Sequence, residues 1–558
     1  MIQRLFRFLG RDVVSIHHAA YILVLSAFLS QLLGLFRDRL LASSFGAGQL
    51  LDVYYAAFKV QDFIFYSIAS ILSLVVLIPL IEGALVNEGV ERAKKLLNTL
   101  FTVSFVLIAV VSFLAFSFAP ELARFLFPGI ATGSFSTELV SLMRLLLLSP
   151  FIFSFSGLLA SVVQIRGRFY ITALSPVLYN LGIILGIIFL YPHFGVLGLG
   201  YGVLLGAFMH MAIQVPFVVR QGLLPRPTFE VLWGDVRSVL SLSTVRGLAL
   251  GINQASLIFL TGLATVIATG GVAVMNFAHN MQNIPLALIG GSYSIATFPV
   301  LSKFFSKGDT EAFMDQLKSA ARHIIFWSFP IMALFIVLRA QIVRVILGSG
   351  NFSWEDTRLT AACLALFAVS VVAQSLSLLF VRAYYATGRN KEALYIGIIS
   401  GLVTVGIAYF GLKAFTAHTY IQFFFEHLLR IEGLEGTAIV ILPLAFSIGA
   451  LVNTTLFMVL FHYHFRSSPL KLQGTVFHSF ASSVVMGLVA YQFLDYFGSL
   501  FNLSTFVGVF LQGVLSGIFG VTAGAVLLYM LKNREFLELL AAFRRRFTKE
   551  EIVAPQEV

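Results

Sequence analysis

Four polar residues in an apolar stretch near residue 60 carry groups that bind charged ligands. Asp52, Lys59, Asp62 and Tyr66 are separated by seven, three and four residues, a spacing that places them on one face of a helix. In a membrane helix, Lys59 and Asp62 would lie about 10–15 Å below the surface. The lysine is suited to a phosphate and the carboxylate to a cation, unless the two pair with each other at i and i+3.

A second polar stripe occurs near residue 280. Asn276, Asn280 and Asn283 repeat at helical spacing, and His279 and Gln282 flank them. Amides of this kind either bind the hydroxyl groups of a sugar or join neighbouring membrane helices by hydrogen bonds. For His279, a buried neutral histidine is the alternative to a proton carrier.

Two further groups of polar residues belong to other apolar stretches. Arg246 and Asn253 are seven residues apart with Gln254 beside them, and the first stretch contains Gln31 and ends at Arg37. An arginine at a helix end is alternatively an anchor whose guanidinium extends to the membrane surface. The candidate substrate-binding residues are therefore Gln31, Arg37, Asp52, Lys59, Asp62, Arg246, Asn253, Gln254, His279, Asn280 and Asn283.

Motifs of enzymes and metal sites are missing from the sequence. It has no GxGxxG, no GxxxxGK[ST] and no HExxH, and its single cysteine, Cys363, forms neither an intrachain disulfide nor a thiolate cluster. No loop is long enough for a nucleotide-hydrolysing domain. We therefore expect a transporter rather than an enzyme, with no cofactor and with coupling to membrane potential or to a monovalent ion.

The composition places these residues in a membrane protein. Of 558 residues, 58% are apolar and 11% charged, whereas a soluble protein has about a quarter charged residues. Runs of about 20 apolar residues predict fourteen transmembrane helices. The first precedes Arg37, and the others lie near 52–81, 96–119, 139–163, 173–190, 197–219, 238–268, 272–302, 320–346, 358–386, 393–414, 437–461, 475–495 and 505–531.

The basic residues predict orientation. The net charge of +11 is spread over short loops, which argues against a nucleic-acid partner. With a cytoplasmic N-terminus, 26 of the 37 Lys and Arg fall on the inner side, so both termini are expected in the cytoplasm. The basic tail, residues 532–558, is either an amphipathic segment on anionic lipid or a solvated stop-transfer anchor. Residues 418–436 read as an interfacial helix on the outer face.

An internal repeat predicts how the helices are organised. Ala57-x-x-x-Gln61-Asp62 matches Ala278-x-x-x-Gln282-Asn283, and the two motifs are six spans apart. This indicates two six-helix lobes in the same orientation, with cargo handled between them. The expected divisions are an N-terminal segment (1–14), an N-lobe (15–220), a C-lobe (238–463), helices thirteen and fourteen (473–531) and the tail (532–558).

The stretch SQLLGLFRDRLLASSFGAGQLLDVYYAAFKV, with later motifs at QIRGRFYITALSPVLYN, FPVLSK and RAYYATGRNKEA, resembles the MurJ (MviN) lipid II flippase family of the MOP superfamily. The resemblance covers roughly residues 20–465. It implies alternating-access movement of an undecaprenyl-pyrophosphate-linked peptidoglycan precursor across the bacterial cytoplasmic membrane, and it makes cell-wall synthesis proteins candidate partners. Arg37 and Asp52 match functional positions of the family.

Several family positions differ here. The first helix-one arginine of the family is Gln31, its helix-two arginine pair is Phe65 and Tyr66, and its helix-eight arginine is Asn280. Either the cations have moved, with Lys59 and Arg246 taking the phosphates and the Asn stripe the sugar, or the cargo is less anionic. Other hypotheses are a flippase for another polyprenyl-linked oligosaccharide, a drug antiporter of the same superfamily, and a non-transporting scaffold.

Overall fold

The computed structural model describes residues 16–68, 74–465 and 472–547, and these residues form helices and connecting turns without a strand. Eleven helices in this part of the chain are long and apolar enough to cross a membrane, and a twelfth span is a pair bent by 44°. The all-α membrane fold is confirmed. The count of fourteen is not, because the first two expected spans include residues outside the described ranges.

The described residues up to Ile267 form thirteen α-helices. They are α1 (Ile16–Phe45), α2 (Gln49–Ser67), α3 (Leu74–Asn87), α4 (Val90–Ser117), α5 (Ala119–Leu126), α6 (Pro128–Ala131), α7 (Ser136–Leu146), α8 (Ser149–Ile165), α9 (Phe169–Leu185), α10 (Tyr191–Phe194), α11 (Val196–Ala212), α12 (Val215–Arg220) and α13 (Trp233–Ile267).

The described residues from Gly271 onward form twelve more. They are α14 (Gly271–Leu286), α15 (Ser292–Ser306), α16 (Thr310–Val337), α17 (Arg339–Leu347), α18 (Trp354–Val369), α19 (Val371–Ala386), α20 (Asn390–Ala417), α21 (Thr419–Leu429), α22 (Ile441–Phe465), α23 (Gln473–Leu500), α24 (Phe506–Met530) and α25 (Arg534–Phe547). The stretch that reads as an interfacial segment contains α21.

One of the two spans that carry the sequence repeat contains a π-helical turn. The expected span 52–81 includes most of α2 and the start of α3, and residues 69–73 between them lie outside the described ranges. The expected span 272–302 is found as one span, Gly271–Ser306, in which the π-helical turn at Ala287–Gly291 joins α14 to α15. Pro285 precedes this turn, and a proline removes one backbone donor and displaces the carbonyl four residues earlier. The π-helical turn therefore has a local cause in the sequence.

The chain divides into two compact units. Unit 1 comprises the described residues of Met1–Met281, Ile346–Cys363 and Asn390–Ala445, and unit 2 comprises those of Gln282–Val345, Leu364–Arg389 and Phe446–Val558. The lobe boundaries expected from chain order stay a prediction.

Within unit 1, a seam of glycines joins α9 to α11. A Cβ atom on Gly182 would lie 2.2 Å from Cα of Gly206, and one on Gly186 would lie 2.4 Å from Cα of Gly202. Glycines four residues apart on both helices form one face that lets the backbones touch, as in small-xxx-small packing of membrane helices. This seam fixes the positions of the polar residues that α9 and α11 carry.

Within unit 2, α23 packs closely on α24 and the tail helix joins α23. The Ser482 hydroxyl donates to the carbonyl of Gly524 over 3.0 Å. Glu535, at the start of α25, is 5% exposed, and its Oε1 accepts a 3.1 Å hydrogen bond from Thr475 and lies 3.7 Å from Nε of Arg322. The tail thus begins as a docked helix. Residues 548–558 lie outside the described part, so the lipid-surface role of the tail stays a prediction.

The glycine seam is tested by Gly202→Val, with Gly406→Val as the matched control on α20. Both changes put valine into a helix, but a Cβ on Gly406 meets nothing within 4 Å. We expect Gly202→Val to cost about 1–3 kcal/mol or more through overpacking, seen as a lower midpoint of thermal unfolding in detergent. Equal midpoints for the two variants would contradict the seam.

Candidate functional site

Asp52 joins the start of α2 to the start of α14. Its side chain is buried, at 2% exposure, and its two carboxylate oxygens accept hydrogen bonds from the backbone N–H groups of Gly270 over 2.6 Å and Ala273 over 2.9 Å. A helix begins with backbone donors that lack partners, and a side chain at the residue before the helix usually accepts from them. Gly270 has no side chain, so Asp52 supplies this cap from another helix.

The backbone around this cap is tightly constrained. Gly270 has a φ of +84°, and a Cβ there would lie 1.9 Å from the carbonyl oxygen of Ala47. Only glycine combines that conformation with so close an approach. Both carboxylate oxygens of Asp52 are occupied by this cap. The expected place of Asp52 in the substrate cavity stays a prediction.

Arg37 belongs to a buried network that links α1, α9 and α14. Its guanidinium donates through Nε and Nη2 to Oδ1 of Asp38, over 3.0 and 2.7 Å, and through Nη1 to Oδ1 of Asn180 over 3.1 Å. The other carboxylate oxygen of Asp38 accepts from Asn280 over 3.0 Å. Asn180 donates in turn to the carbonyl and the hydroxyl of Ser30. The charge of Arg37 is therefore balanced by an adjacent carboxylate.

Two residues of this network, Asp38 and Asn180, are not among the candidate substrate-binding residues named from the sequence. Asp38 is 4% and Asn180 is 8% exposed. The signal for Asp38 was a carboxylate between two arginines at the end of an apolar span, and the signal for Asn180 was an amide inside one. Asn280, at the position of a family arginine, serves here as a donor to Asp38.

Lys59 contacts the second polar stripe, the one near residue 280. Its ammonium donates to Oδ1 of Asn276 over 3.0 Å, and the Asn276 amide donates back to the carbonyl of Val272 over 2.9 Å. Lys59 is half-buried and Asn276 is buried. Among the described residues no direct ion pair joins Lys59 to Asp62, so the hydrogen-bond partner of the lysine is a neutral amide, although the two charges are close enough to attract each other.

Asp62 faces a different space. It lines a pocket of about 410 Å³ among α2, α8, α9 and α11, together with Gln61, Tyr179, His210 and Gln214. Its Oδ1 accepts a long 3.4 Å hydrogen bond from Nε2 of Gln61. Lys59 and Asp62, expected in one cavity, therefore serve two separate environments.

The other selected residues make fewer contacts. Gln31, Gln254 and Asn283 are half-buried and Asn253 is exposed, and none of these four side chains has a hydrogen bond within the described part of the chain. His279 is half-buried and takes part in a further contact. Arg246 lies within α13, but its side chain is outside the described residues.

The ammonium of Lys59 is the group of this arrangement that could bind an anion. Lys59 offers an ammonium with a neutral partner, and a phosphate oxygen forms shorter and stronger hydrogen bonds with a cation than an amide does. Across residues 16–68, 74–465 and 472–547 there is no group of three or more His, Cys, Asp and Glu that could hold a metal ion.

The family model and the curated relatives agree on one family. The family model described as lipid II flippase MurJ matches residues 41–512. The probable lipid II flippase MurJ of Bdellovibrio bacteriovorus is 25% identical over 496 residues, which cover 87% of this chain and 90% of the relative.

Solved structures show the same fold. A lipid II flippase MurJ in an inward closed conformation aligns with a TM-score of 0.71 at 19% identity, covering 93% of this chain and all of the other. An inward-facing multidrug resistance transporter of the MATE family, in the MOP superfamily, aligns with a TM-score of 0.61 at 17% identity, covering 78% of this chain and 94% of the other. At these identities the likeness concerns the fold.

The cap is tested by Asp52→Asn. An amide has one accepting oxygen, and its NH₂ group would face a backbone donor, so we expect a loss of about 1–3 kcal/mol and a lower thermal midpoint. Asp309→Asn is the control, because Asp309 caps α16 through Ala312 at an exposed site, where asparagine caps equally well. Equal midpoints for Asp52→Asn and the unaltered protein would refute the cap.

Proposed function

The chain belongs to the lipid II flippase MurJ family, and on that premise we propose that it moves lipid II from the inner to the outer leaflet of the bacterial cytoplasmic membrane. The family model matches most of the chain. The proposed cargo is an undecaprenyl-pyrophosphate-linked peptidoglycan precursor, the membrane is the bacterial cytoplasmic membrane, and both termini lie in the cytoplasm. The activity is transport by alternating access without a chemical step.

The contact between Lys59 and Asn276 is the observation that carries the proposal. Lys59 holds a half-buried positive charge against a neutral oxygen, so an incoming pyrophosphate gains a charge-assisted bond while displacing a weaker one. The displaced Asn276 amide then becomes available to a sugar hydroxyl. The charge on this side chain substitutes for the family arginines that are Phe65 and Tyr66 here.

Arg37 has a positioning task in this proposal. Its bonds to Asp38 and Asn180, and the bond that Asp38 accepts from Asn280, hold α1, α9 and α14 together. Opening the cavity toward one leaflet would exchange these contacts for others. Arg246 is proposed as the second phosphate ligand, which would accept the head group from the cytoplasmic side.

The lipid tail needs an apolar path. Unit 2 contains a pocket of about 600 Å³ lined by α16, α19, α22 and α23, including Phe329, Leu376 and Met458. Its lining is mostly apolar and therefore suits a polyprenyl chain that stays in the bilayer while the head group crosses.

Lys59 is tested by measuring lipid II translocation in proteoliposomes with Lys59→Met, Lys59→Arg and the control Lys307→Met. A lost charge-assisted hydrogen bond is worth about 1.5–3 kcal/mol, so Lys59→Met should slow transport about 10–100-fold. Lys59→Arg should retain a substantial part of the rate. Lys307 is exposed on the loop after α15, and its variant should transport within about twofold of the unaltered protein.

Two results would count against this proposal. If Lys59→Met translocates lipid II at the rate of Lys307→Met, the ammonium is not a ligand of the pyrophosphate. If the unaltered protein moves another polyprenyl-linked oligosaccharide but not lipid II, the cargo is wrong while the transporter class stands.

Membrane potential is expected to assist the cycle. An inside-negative potential is worth about 2.3 kcal/mol per charge per 100 mV, and it would draw the net-positive empty cavity back toward the cytoplasmic side. Collapsing the potential with valinomycin and matched potassium should therefore slow multiple-turnover transport. An unchanged rate would remove potential as the driving force.

A further inference from the structure

The short helix α21 in unit 1 exposes a continuous apolar surface. Tyr420, Phe423, Phe424 and Leu428 follow one another at intervals of three and four residues, so they lie on one side of the helix. These four residues form the aromatic face. Each of them is more than half exposed, from 58% for Leu428 to 70% for Tyr420. Contiguous exposed apolar surface of this kind marks a site of contact with a protein or a membrane.

The opposite side of α21 is attached to the rest of unit 1. Oε1 of Glu426 accepts hydrogen bonds from Gln422 over 2.9 Å and from Thr437 over 2.6 Å, and Leu429 is buried. Thr437 begins the next apolar span, so the second bond ties α21 to that span. Rotation of α21 that would cover the aromatic face would break these contacts.

A charged cluster holds the end of α21. Arg430 has a φ of +60°, and the N–H of Ile431 donates to the carbonyl of Glu426 over 2.9 Å, which is a common way for a helix to end. Arg358 on α18 donates to the carbonyl of Arg430 over 2.8 Å and lies 3.6 Å from the carboxylate of Glu432. These contacts fix the direction in which the aromatic face points.

The neighbouring spans place α21 at a membrane surface. The apolar span Asn390–Ala417 ends one residue before α21 begins, and the span Thr437–Phe465 begins after α21 ends. The 11 residues of α21 extend about 16 Å, which is too short to cross an apolar core of about 30 Å. Both spans therefore meet the same surface, which is the outer one in the proposed topology.

The side chains around α21 favour lipid as the occupant of the aromatic face. Helices with Phe and Leu on one side lie in the membrane interface with that side in the acyl region, and tyrosine is enriched at the same depth. Lys413, one turn before the end of the preceding span, is exposed, and its ammonium lies 4.4 Å from the ring centre of Tyr409. A cation at this level suits the phosphate of a lipid head group.

We propose that the aromatic face of α21 is a lipid-binding surface, which inserts among the acyl chains of the adjoining leaflet. The partner is a phospholipid of that leaflet, with its chains against Phe423, Phe424 and Leu428 and its phosphate at the level of Lys413. An interfacial helix of this kind buries its apolar side about 5–10 Å into the boundary between head groups and chains.

Lipid held at α21 also anchors a segment that contacts the start of α14. Gly436 has a φ of +70°, and a Cβ there would lie 2.4 Å from Cβ of Ala268. Ala268 lies two residues before Gly270, whose N–H donates to Asp52. The use of this anchor during transport rests on the proposed function, whereas the binding of lipid to α21 does not.

The test is electron paramagnetic resonance of the full-length protein in nanodiscs of phosphatidylcholine and phosphatidylglycerol, with one chain per disc. A nitroxide is attached at Leu428→Cys or at the matched control Glu435→Cys, which is exposed in the same connection. The native Cys363 is buried, so the label reacts at the introduced position. Collisions of the label with oxygen report lipid, and collisions with a water-soluble nickel complex report water.

We expect the label at position 428 to collide mainly with oxygen, at a depth of about 5–10 Å below the head groups. The label at position 435 should collide mainly with nickel. Replacing both Phe423→Ser and Phe424→Ser should move the label at position 428 toward water, because these rings supply most of the apolar surface of the face.

Three results would overturn the proposal. Equal access of nickel to positions 428 and 435 would place the aromatic face in water, and shielding of position 428 from both reagents would show that protein covers it. An unchanged depth in the double serine variant would exclude the two rings as the lipid contact. A label at lipid depth in a protein that fails to translocate lipid II would preserve the lipid surface and reject the proposed function, so the two failures are distinguishable.

Discussion

The carboxylate of Asp52 is the contact on which the site geometry depends. It accepts from the first backbone donors of α14, where the helix dipole also favours a negative charge. The cap places the starts of α2 and α14 side by side. Lys59, two turns along α2, then meets Asn276, one turn along α14. A buried acid at the beginning of one helix thus sets the register between two polar stripes.

That register explains how the charged side chains near the site are arranged in a chain with few cavity arginines. Arg37 is balanced by Asp38 and donates to Asn180, while Asp38 accepts from Asn280, which makes Arg37 part of the framework. Lys59 rests against a neutral amide, and Asp62 lies in a compartment of its own. Lys59 and Asp62 therefore have different immediate surroundings, although both are carried by α2.

The fold was predictable because each span must satisfy its own backbone hydrogen bonds in lipid, so apolar length gives the helices directly. The site was harder to predict. Side chains three residues apart on a helix differ in direction by about 60°. From their spacing alone, two such residues are assigned to the same face of the helix. In this structure that difference sends Lys59 toward Asn276 and Asp62 into the pocket. The role of Asp52 depended on Gly270, which is distant in sequence and has no side chain with which to cap α14.

The central claim, that Lys59 has replaced the family arginines as a ligand of pyrophosphate, is tested most directly by native mass spectrometry. The purified protein would be offered lipid II and undecaprenyl phosphate together, alongside Lys59→Met and Lys307→Met. The account predicts selective retention of lipid II by the unaltered protein and by Lys307→Met, with loss of that selectivity in Lys59→Met. Equal retention of the two lipids by the unaltered protein, or undiminished selectivity in Lys59→Met, would contradict it.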